Sequence, residues 1–549
     1  MNVAEVVADT LGRLGVHHVF GLIGSGNFAV ANALVAGGST FVAARHEGGA
    51  ITMADAYARV TNTVGVCTVH QGPGLTNTLT GLTEAAKSRT PLLLLAADTA
   101  AASIRSNFRI DQDGLVSSVG AVPERVYGPE SAVSDTLRAY HRAQLERRPV
   151  VLMLPLDIQA APVPEIPDAL PPFSEVRPAR PATAAVSEAA DALARARRPL
   201  IIAGRGAVLA GAKDDLHRIG QQLGALLATT AVANGLFTGD PWSVGISGGF
   251  ASPAAAELIS EADVVLSMGA SLTMWTTRHG RLLNPEATVV QIDHEASAIG
   301  THHRADIAVV GDAGESARAL LEELESRGAS GSGWRVPHVA ERIRIGCWHE
   351  AQYTDAGDGS HIDPRTLSIA LDALLPKERT VAVDSGHFMG YPAMYLRVPD
   401  AQGFVFTQAF QSVGLGLATA IGAAVARPDR LTVAALGDGG AMMSLPDLET
   451  VARLGLGMII VIYNDSAYGA EVHHFGPQGA PLDIVRFPDV DFAAVARALG
   501  LRGATVREPG DLRAVGAWLA EGGAPALLVD AKVVPTVIAE WLEEAFRGH

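Results

Sequence analysis

Short apolar runs alternate with helix-length segments along nearly the whole chain. Runs such as PLLLLAA (91–97), VVLMLPL (150–156) and MIIVIY (458–463) have the length of a strand and are bounded by Pro, Gly or Asp. An apolar run without polar alternation is typical of a strand that is buried on both faces of a parallel sheet. Because helix-length segments separate the runs, the pattern predicts βαβ units, and therefore an α/β fold of doubly wound parallel sheets.

Two breaks in this pattern divide the chain. From Ala161 to Ala182 proline is too frequent for a helix or a central strand, and SRGASGS at 326–332 is a flexible polar stretch. We therefore expect three domains, over residues 1–160, 183–325 and 360–549, each with its own parallel sheet. The predicted strands are HHVFGLIG, FVAAR, VGVCTVH, PLLLLAA and VVLMLPL in the first, PLIIAG, ALLATT, DVVLSMG and TVVQID in the second, and TVAVDSG, LTVAALGDG, GMIIVIYND and PALLVDAK in the third.

Composition narrows the function classes. Hydrophobic residues make up 48% of the 549 positions, which is too many for a mainly disordered chain. A net charge of −16, without a cluster of Lys or Arg, argues against nucleic-acid binding and against a peripheral membrane helix. The two cysteines cannot form a disulfide framework, the first residues show no signal-peptide pattern, and no apolar run approaches the ~18–20 residues of a membrane span. We therefore expect a cytoplasmic protein.

The third block carries a chemical signal at the ends of two successive strands. LTVAAL ends in Gly437-Asp438-Gly439-Gly440, and MIIVIY is followed by Asn464. A right-handed crossover would place Asp438 and Asn464 side by side at the carboxyl edge of the sheet, where ligands bind. A carboxylate, an amide oxygen and a free backbone carbonyl suit Mg²⁺, and the glycines let backbone N–H groups approach an anion. For GDG alone a plain tight turn is the alternative, and we expect the next helix to begin near Ser444-Leu445-Pro446.

Two side chains of the first block could also reach a ligand. Glu47 stands in the first turn of a predicted helix whose buried face is marked by Met53 and Tyr57. It could complement the helix dipole, or act as a partly buried acid that hydrogen-bonds a ligand nitrogen. His70 ends the strand VGVCTVH before Gly72-Pro73-Gly74, a turn that allows backbone and ligand to meet closely. A purely structural histidine is the alternative.

Together these segments resemble the thiamine-diphosphate (ThDP)-dependent enzymes of the acetolactate synthase type, along nearly the whole chain. The resemblance is carried by RHEGGAITMADAYAR around Glu47, GPGLTN (72–77), SRTPLLLLA, QAFQSVGLGLATAIGAAVARP (408–428), GDGGAMMSLPDLET (437–450) and YNDSAYG (463–469). GDG followed by Asn at this spacing is that family's diphosphate–Mg motif. The resemblance implies a first domain that binds the pyrimidine (PYR), a central Rossmann-like domain, and a third domain that binds the diphosphate (PP).

The same resemblance implies roles for individual residues. Glu47 would hydrogen-bond N1′ of the aminopyrimidine and promote loss of the thiazolium C2 proton, after which the thiazolium serves as an electron sink. Asp438, Asn464 and the Ser466 carbonyl would hold Mg²⁺. The other implied cofactor contacts are Ser385, Gly386, His387, Gln411, Val413, Gly437, Gly439, Gly440, Ala467 and Tyr468, with Val413 beneath the bent cofactor. The cofactor would lie between the PYR domain of one subunit and the PP domain of another, in a homodimer or homotetramer.

The chain departs from acetolactate synthases at positions that concern the substrate. Near Phe108 the expected glutamine is missing, although Gln112 is close. His474, with His473 beside it, stands where those enzymes have a tryptophan. Their flavin-binding stretch is replaced by LTMWTTR at 272–278, so FAD is not expected.

In one respect the chain resembles the benzoylformate decarboxylase-like enzymes instead. Those enzymes have a histidine at the position of His70 and a serine near the position of Ser25. A histidine near the reacting carbon can move a proton to or from the substrate. His473 and His474 could add to this relay, or form part of a metal site if a third ligand lay nearby.

The central domain gives only a weak signal for a ligand. Gly204-Arg205-Gly206 follows the strand PLIIA, and Asp293 ends the strand TVVQI. This weakly resembles a dinucleotide fingerprint, so either a nucleotide such as FAD or ADP binds here or the domain is purely structural.

Three functions remain open on the sequence alone. The first is a ThDP carboligase that joins a decarboxylated 2-oxo acid to an acceptor carbonyl. The second is a non-oxidative 2-oxo acid decarboxylase or acyloin lyase, in which a proton rather than a second carbonyl ends the reaction. The third is a binding module that kept the fold, which the intact Glu47, Asp438 and Asn464 argue against. A nicotinamide oxidoreductase would need a better glycine fingerprint.

Overall fold

The computed structural model of the protein describes residues 1–173 and 176–547. Two residues of the predicted proline-rich linker and the last two of the predicted third domain lie outside this part. The described residues form three sheets of six strands each, and every pairing between the strands of these sheets is parallel. The predicted α/β class with three parallel-sheet domains is confirmed. Within the described residues, no helix combines the length and the apolar character needed to cross a membrane.

The first sheet has the strand order β2-β1-β3-β4-β6-β5. Its strands are β1 (His18–Gly21), β2 (Thr40–Ala43), β3 (Gly65–Val69), β4 (Leu92–Asp98), β5 (Val122–Arg125) and β6 (Pro149–Pro155). The helices of this region are α1 (Val3–Arg13), α2 (Phe28–Ala36), α3 (Glu47–Thr61), α4 (Pro73–Thr76), α5 (Leu79–Lys87), α6 (Gln112–Ser118), α7 (Ala132–Glu146) and α8 (Leu156–Gln159). The inner strands are buried at nearly every residue, as expected when helices cover both faces of the sheet.

The second sheet has the order β12-β11-β10-β7-β8-β9. Its strands are β7 (Pro199–Ala203), β8 (Leu226–Thr229), β9 (Ser243–Ile246), β10 (Val264–Met268), β11 (Thr288–Asp293) and β12 (Ile307–Val310). The helices are α9 (Thr183–Ala194), α10 (Arg205–Leu209), α11 (Lys213–Leu223), α12 (Pro253–Ser260), α13 (Met274–Thr277) and α14 (Ala313–Ser326), followed by α15 (Pro337–Ile345). The strand order reverses next to β7, so a crevice opens beyond the carboxyl ends of β7 and β10.

The third sheet has the order β14-β13-β15-β16-β18-β17. Its strands are β13 (Arg379–Val383), β14 (Phe404–Phe406), β15 (Leu431–Gly437), β16 (Met458–Asn464), β17 (Arg502–Val506) and β18 (Leu527–Lys532). The helices are α16 (Pro364–Leu374), α17 (Gly390–Tyr395), α18 (Gly416–Ala426), α19 (Asp438–Ser444), α20 (Asp447–Leu454), α21 (Gly469–Phe475), α22 (Phe492–Ala498), α23 (Arg513–Ala520) and α24 (Leu542–Ala545).

Strands at the sheet edges are where the structure adds to the prediction. The apolar pattern marks all the inner strands but misses β5, β9, β12, β14 and β17, each of which lies at an edge. Strand β12 alternates buried and exposed residues, and β14 has only three residues. An edge strand has one neighbour and can face solvent, so it needs no continuous apolar run.

The structure has two helices after GDGG where the prediction placed one: α20 begins at Asp447, next to the predicted start near Ser444-Leu445-Pro446, and α19 precedes it. Helix α19 begins at Asp438, immediately after β15, and Ser444 is its last residue. The Ser444 hydroxyl donates to the Gly440 carbonyl 3.0 Å away instead of capping a helix start. Pro446 precedes α20, the second helix of this connection. The strand end and the helix start therefore coincide at Asp438.

The first and third domains share one hydrophobic core, in which α3 packs against α18. Gly422 permits this approach, because a Cβ at that position would lie 2.2 Å from the Met53 carbonyl oxygen. Polar contacts add to the packing near the start of α3. The Arg45 backbone N–H donates to Asp447 at 2.9 Å, and the Arg45 guanidinium pairs with Glu449 at 2.7 Å. The two domains thus form one packed unit within the chain.

Candidate active site

Asp438 and Asn464 lie side by side at the carboxyl edge of the third sheet. Gly437 is in register with Tyr463 on the neighbouring strand, so the residues that follow them are adjacent. The Asn464 amide nitrogen donates to Asp530 at 3.0 Å, which orients the amide oxygen towards the Ser466 backbone N–H, 3.1 Å away. Ser466 has a φ of +56°, a left-handed conformation that turns the chain sharply after the strand.

The acidic side chains here suit a divalent cation. The carboxyl groups of buried Asp438 and half-buried Asp465 are close enough for the charge of one to act on the other, and within the described residues neither forms an ion pair. Burial raises the pKa of both groups, and the charge of Asp465 raises that of Asp438 further. Two acids that are at least half-buried and have no basic partner are costly unless a cation neutralises them. Together with the Asn464 oxygen, these residues fit Mg²⁺.

The turn after β16 completes this wall of the site. Ala467 donates its backbone N–H to Asp465 at 3.2 Å, and Tyr468 is partly exposed with its ring against Phe487. A Cβ on Gly439 would lie 2.8 Å from the Tyr468 ring, so the glycine allows the ring to cover the start of α19. Asp465 was not a predicted site residue, although it stands inside the motif YNDSAYG.

The turn after β13 contains Ser385, Gly386 and His387. Gly386 has a φ of +142°, which favours glycine. The His387 ring is buried, and its Nε2 accepts a hydrogen bond from the Ala539 backbone N–H at 2.8 Å. Burial, with a smaller contribution from His473, lowers the pKa of His387 to about 3. His387 is therefore neutral, and its side chain holds the C-terminal segment in place.

Residues 407–415, between β14 and α18, carry Gln411 and Val413. Gln411 has a φ of +60°, and the apolar Val413 side chain is 39% exposed. Asp384, fully buried at the end of β13, accepts hydrogen bonds from the backbone N–H groups of Gly414 and Leu415 at 3.0 and 3.1 Å. Burial raises the pKa of Asp384 to about 6, although these backbone N–H groups oppose the shift. The exposed Val413 side chain thus lies on a backbone segment that hydrogen bonds to Asp384 fix in place. A fixed, exposed apolar side chain of this kind could support a bound ligand.

Glu47 is the first residue of α3 in the structure and is partly buried. His46 caps the helix through a hydrogen bond from the Gly48 N–H at 3.0 Å. Among the described residues, the donor to the Glu47 carboxylate is the Asn77 side chain, 3.0 Å from Oε2. The other carboxylate oxygen can therefore accept a hydrogen bond from a ligand.

His70 lies just after β3, beside Ser25 and Phe108. Its Nδ1 is 2.7 Å from the Gln71 carbonyl oxygen, which can only accept, so Nδ1 carries the proton in the neutral ring. Its Nε2 is 3.3 Å from the Ser25 hydroxyl, and the ring edge packs against Phe108 with centroids 4.8 Å apart. A Cβ on Gly24 would lie 2.6 Å from the ring, so glycine makes room for it. The accessible Nε2 can take up a proton.

Gln112 occupies a supporting position in the first domain. It is buried, and its oxygen accepts from the Gly72 backbone N–H at 3.0 Å while its nitrogen donates to the Ala97 carbonyl at 3.1 Å. Both ends of the amide are thus used to hold the turn that follows His70. Gly72 has a φ of +63°, a left-handed conformation that glycine adopts without strain.

His473 and His474 lie on α21 in the third domain. The His473 ring is 4.4 Å from that of His387, burial lowers its pKa, and its Nε2 has no partner within the described residues. The His474 ring stacks on Phe546 with centroids 3.9 Å apart. In the described part of the chain, no group of three or more His, Cys, Asp or Glu side chains is arranged to hold a metal ion.

A cavity of about 1110 Å³ lies where the three domains meet. The central-domain residues Gly206 and Asp293 line it, as does Arg205. Burial lowers the pKa of Arg205 to about 9, and its guanidinium donates to the Thr90 hydroxyl. The weak fingerprint of the central domain therefore does face a space that could hold a small molecule.

Three protein-family models match the chain, one in each of the three domains. Residues 1–116 match the thiamine pyrophosphate enzyme N-terminal TPP binding domain, residues 186–320 its central domain, and residues 384–529 its C-terminal TPP binding domain. A probable 2-ketoarginine decarboxylase of Pseudomonas aeruginosa is 30% identical over 93% of this chain and 90% of its own length. The chain belongs to the thiamine pyrophosphate enzyme family. The predicted family is therefore confirmed.

Other relatives in this family differ in their named activities. An acetolactate synthase large subunit of Parasynechococcus marenigrum is 29% identical over 92% of this chain and 83% of its own length. A probable sulfoacetaldehyde acetyltransferase of Rhizobium meliloti is 28% identical over 100% of this chain and 96% of its own length. The relatives named here thus include a synthase, a probable decarboxylase and a probable acetyltransferase.

Proposed function

We propose that this protein is a ThDP- and Mg²⁺-dependent enzyme that makes or breaks a carbon–carbon bond in a 2-oxo acid, as an acetolactate synthase-like carboligase. The observation that carries the proposal is the unneutralised pair of buried Asp438 and half-buried Asp465 beside the Asn464 oxygen. Asp438, Asn464 and the Ser466 carbonyl would hold Mg²⁺, which would bridge to the diphosphate. The diphosphate would lie near Ser385, Gly386 and the glycines of 437–440.

When bound, ThDP would supply a nucleophilic thiazolium carbon and an electron sink for the bonding pair that remains when the 2-oxo acid loses CO2. Glu47 would hold a proton at the ring nitrogen of the pyrimidine through its free oxygen, while Asn77 fixes the other oxygen. The exposed Val413 would support the cofactor from below, and backbone groups of Gln411 would contact the pyrimidine. Ala467 and Tyr468 would close the diphosphate side.

His70 would act on the substrate rather than on the cofactor. Its Nε2 faces Ser25 and can accept or return a proton, while Gln71 fixes the ring orientation. His473 and His474 are further candidates for contacts with the substrate because they lie on α21, after the turn that carries Ser466.

A simple decarboxylase or acyloin lyase is the second candidate. This candidate is favoured by the His70–Ser25 pair, because a proton donor held beside the substrate could protonate the carbon that lost CO2, and no acceptor carbonyl would then be needed. The decarboxylase among the relatives points the same way.

We further propose that a second copy of the chain completes the site. Within the described residues, no hydrogen bond joins Glu47 or His70 to Asp438 or Asn464, which are in different domains. Large apolar side chains of the third domain, which contributes one half of the proposed site, are exposed in the single chain. Among them are Phe410, Val413, Met442, Met443 and Ile484. A patch of this kind is typical of a protein interface, and a homodimer or homotetramer would cover it.

We propose that the central domain binds no flavin, because LTMWTTR at 272–278 replaces the flavin-binding stretch of acetolactate synthases. A purified preparation should show no flavin absorbance, and one flavin per chain would contradict the proposal. With both cysteines free, we also propose a cytoplasmic location.

Product analysis tests the proposed reaction. The ThDP- and Mg²⁺-loaded protein is incubated with a panel of 2-oxo acids, with and without aldehydes, and the products are identified by mass spectrometry. Carbon–carbon-coupled products support the carboligase, free aldehyde alone supports the decarboxylase, and no consumption of any 2-oxo acid contradicts both.

A further inference from the structure

The loop that carries Gln411 and Val413 is held at its other end by a carboxylate from a different domain. Glu84 lies on α5 of the first domain, and its side chain is fully buried. Its Oε2 accepts a hydrogen bond from the Phe410 backbone N–H at 2.6 Å, and its Oε1 accepts one from the Ala409 N–H at 3.2 Å. These contacts span 325 and 326 residues of chain.

Two buried acids therefore bracket the tripeptide 411–413. Asp384 binds the backbone N–H groups of Gly414 and Leu415 from within the third domain, and Glu84 binds those of residues 409 and 410 from the first. A carboxylate that accepts backbone N–H groups forms hydrogen bonds that are roughly twice as strong as neutral ones. The left-handed φ of Gln411 is thus enclosed by fixed points on both sides, which is the arrangement needed to hold a strained backbone.

Glu84 is itself held by Arg59. The Arg59 guanidinium donates to Glu84 at 2.8 Å, to the Ser88 hydroxyl at 2.6 Å and to the Phe406 carbonyl at 3.1 Å, and it pairs with buried Asp55 at 2.8 Å. Burying these charges is costly and is tolerated only when they are paired and hydrogen-bonded. The network ties α3 and α5 to β14 and to the residues that follow it.

We propose that Glu84, backed by Arg59, is a positioning residue that presets residues 411–413 for cofactor binding. The assignment rests on the ThDP site proposed above, in which Val413 supports the cofactor. In this arrangement the first domain contributes to the cofactor site of its own chain without touching the cofactor. Its contribution is the shape of the third-domain loop.

The variant Glu84→Gln tests this inference, with Glu449→Gln as the matched control. A glutamine can accept only through its one oxygen, and its NH₂ group would face a backbone N–H donor. Glu449 also links the first and third domains, through Arg45, but it makes no contact with residues 407–415. Each full-length variant is examined by calorimetric titration with ThDP in Mg²⁺, by thermal melting, and by hydrogen exchange of the backbone amides.

We expect Glu84→Gln to weaken ThDP binding by about 10–100-fold, the range for loss of hydrogen bonds to a charged group. Amides 409–413 should exchange faster than in the unchanged chain, whereas Glu449→Gln should leave both ThDP affinity and loop exchange as they were. If Glu84→Gln does not fold, Glu84→Asp keeps the charge but shortens the reach, and it should show the same two changes.

Faster loop exchange with unchanged ThDP affinity would overturn the inference, and so would an equal loss of affinity in the Glu449→Gln control. Failure of the unchanged chain to bind ThDP would contradict the proposed function itself, and the positioning role would fall with it. The two failures are distinguished because the unchanged chain still binds ThDP in the first case and does not bind it in the second.

Discussion

Replacing Glu47 by Gln should slow turnover strongly, weaken cofactor binding to a smaller extent and leave the fold in place. The side chain is partly buried at the first residue of α3, and Asn77 donates to one of its two oxygens at 3.0 Å. An acid at a helix start contributes about 0.3–1 kcal/mol, so the melting temperature should fall by only about 1–4 °C. The structural cost of the change is therefore small.

The functional cost is expected to be larger. A hydrogen bond to a carboxylate is worth about 1.5–3 kcal/mol and a neutral one about 0.5–1.5, so the difference of about 1–1.5 kcal/mol should weaken ThDP affinity by roughly 5–12-fold. The amide cannot hold a proton at the ligand nitrogen, so turnover at saturating ThDP should fall by about 10²–10⁴-fold. Steady-state rates with the best 2-oxo acid, calorimetry and thermal melting on one preparation separate the three effects.

Asn77→Ala is the matched comparison, because it keeps the charge of Glu47 and removes only its orienting hydrogen bond. We expect a loss of about 10-fold in turnover, smaller than that of Glu47→Gln. Turnover of Glu47→Gln within twofold of the unchanged chain would refute the role given to this carboxylate.

Three other predictions follow from the same structure. Asp438→Ala should abolish Mg²⁺-dependent ThDP binding, and calorimetry showing unchanged affinity would contradict the metal site. His70→Ala should slow product formation by about 10²–10⁴-fold with ThDP affinity unchanged; full activity with a lowered melting temperature would instead make it a structural residue. Burial alone would raise the pKa of Asp372, but hydrogen bonds from His349 and the Arg397 backbone, with the charge of Arg379, lower it to about 2. The carboxylate therefore adds about 2 kcal/mol of stability above the unfolded pKa near 4, which is lost as pH falls towards 2. The urea concentration at the unfolding midpoint should fall between pH 5 and pH 3 in the unchanged chain and should fall less in Asp372→Asn. An equally steep fall in the variant would contradict this role of Asp372.

The inner strands of all three sheets could be predicted because burial on both faces leaves a continuous apolar run. Strand β16, Met458–Asn464, is buried at every residue, and the run MIIVIY shows this directly. Strand β5, Val122–Arg125, has only alternate residues buried and contains a proline, so periodicity alone does not reveal it. Edge strands are defined by their neighbours, and a single sequence does not show those neighbours.

The site could be predicted where chemistry follows directly after a strand, as at Asp438, Asn464 and His70. Glu84 could not be predicted as part of the site, because its partners are backbone groups more than 300 residues away. Helix α19 was not predicted, because Gly439 and Gly440 lie in its first turn and glycine disfavours a helix. Ser444 and Pro446 do precede a helix start, that of α20 at Asp447.

Titration of ThDP into the full-length protein, with Mg²⁺ and again with the metal removed by a chelator, tests the central claim most directly. The acidic pair Asp438 and Asp465 should repel the diphosphate when no cation neutralises it. The account predicts one ThDP bound per chain when Mg²⁺ is present. Without the metal the binding should be at least 10-fold weaker, a loss of ~1.4 kcal/mol or more in binding free energy. Equal binding with and without the metal, or no binding in either case, would contradict it.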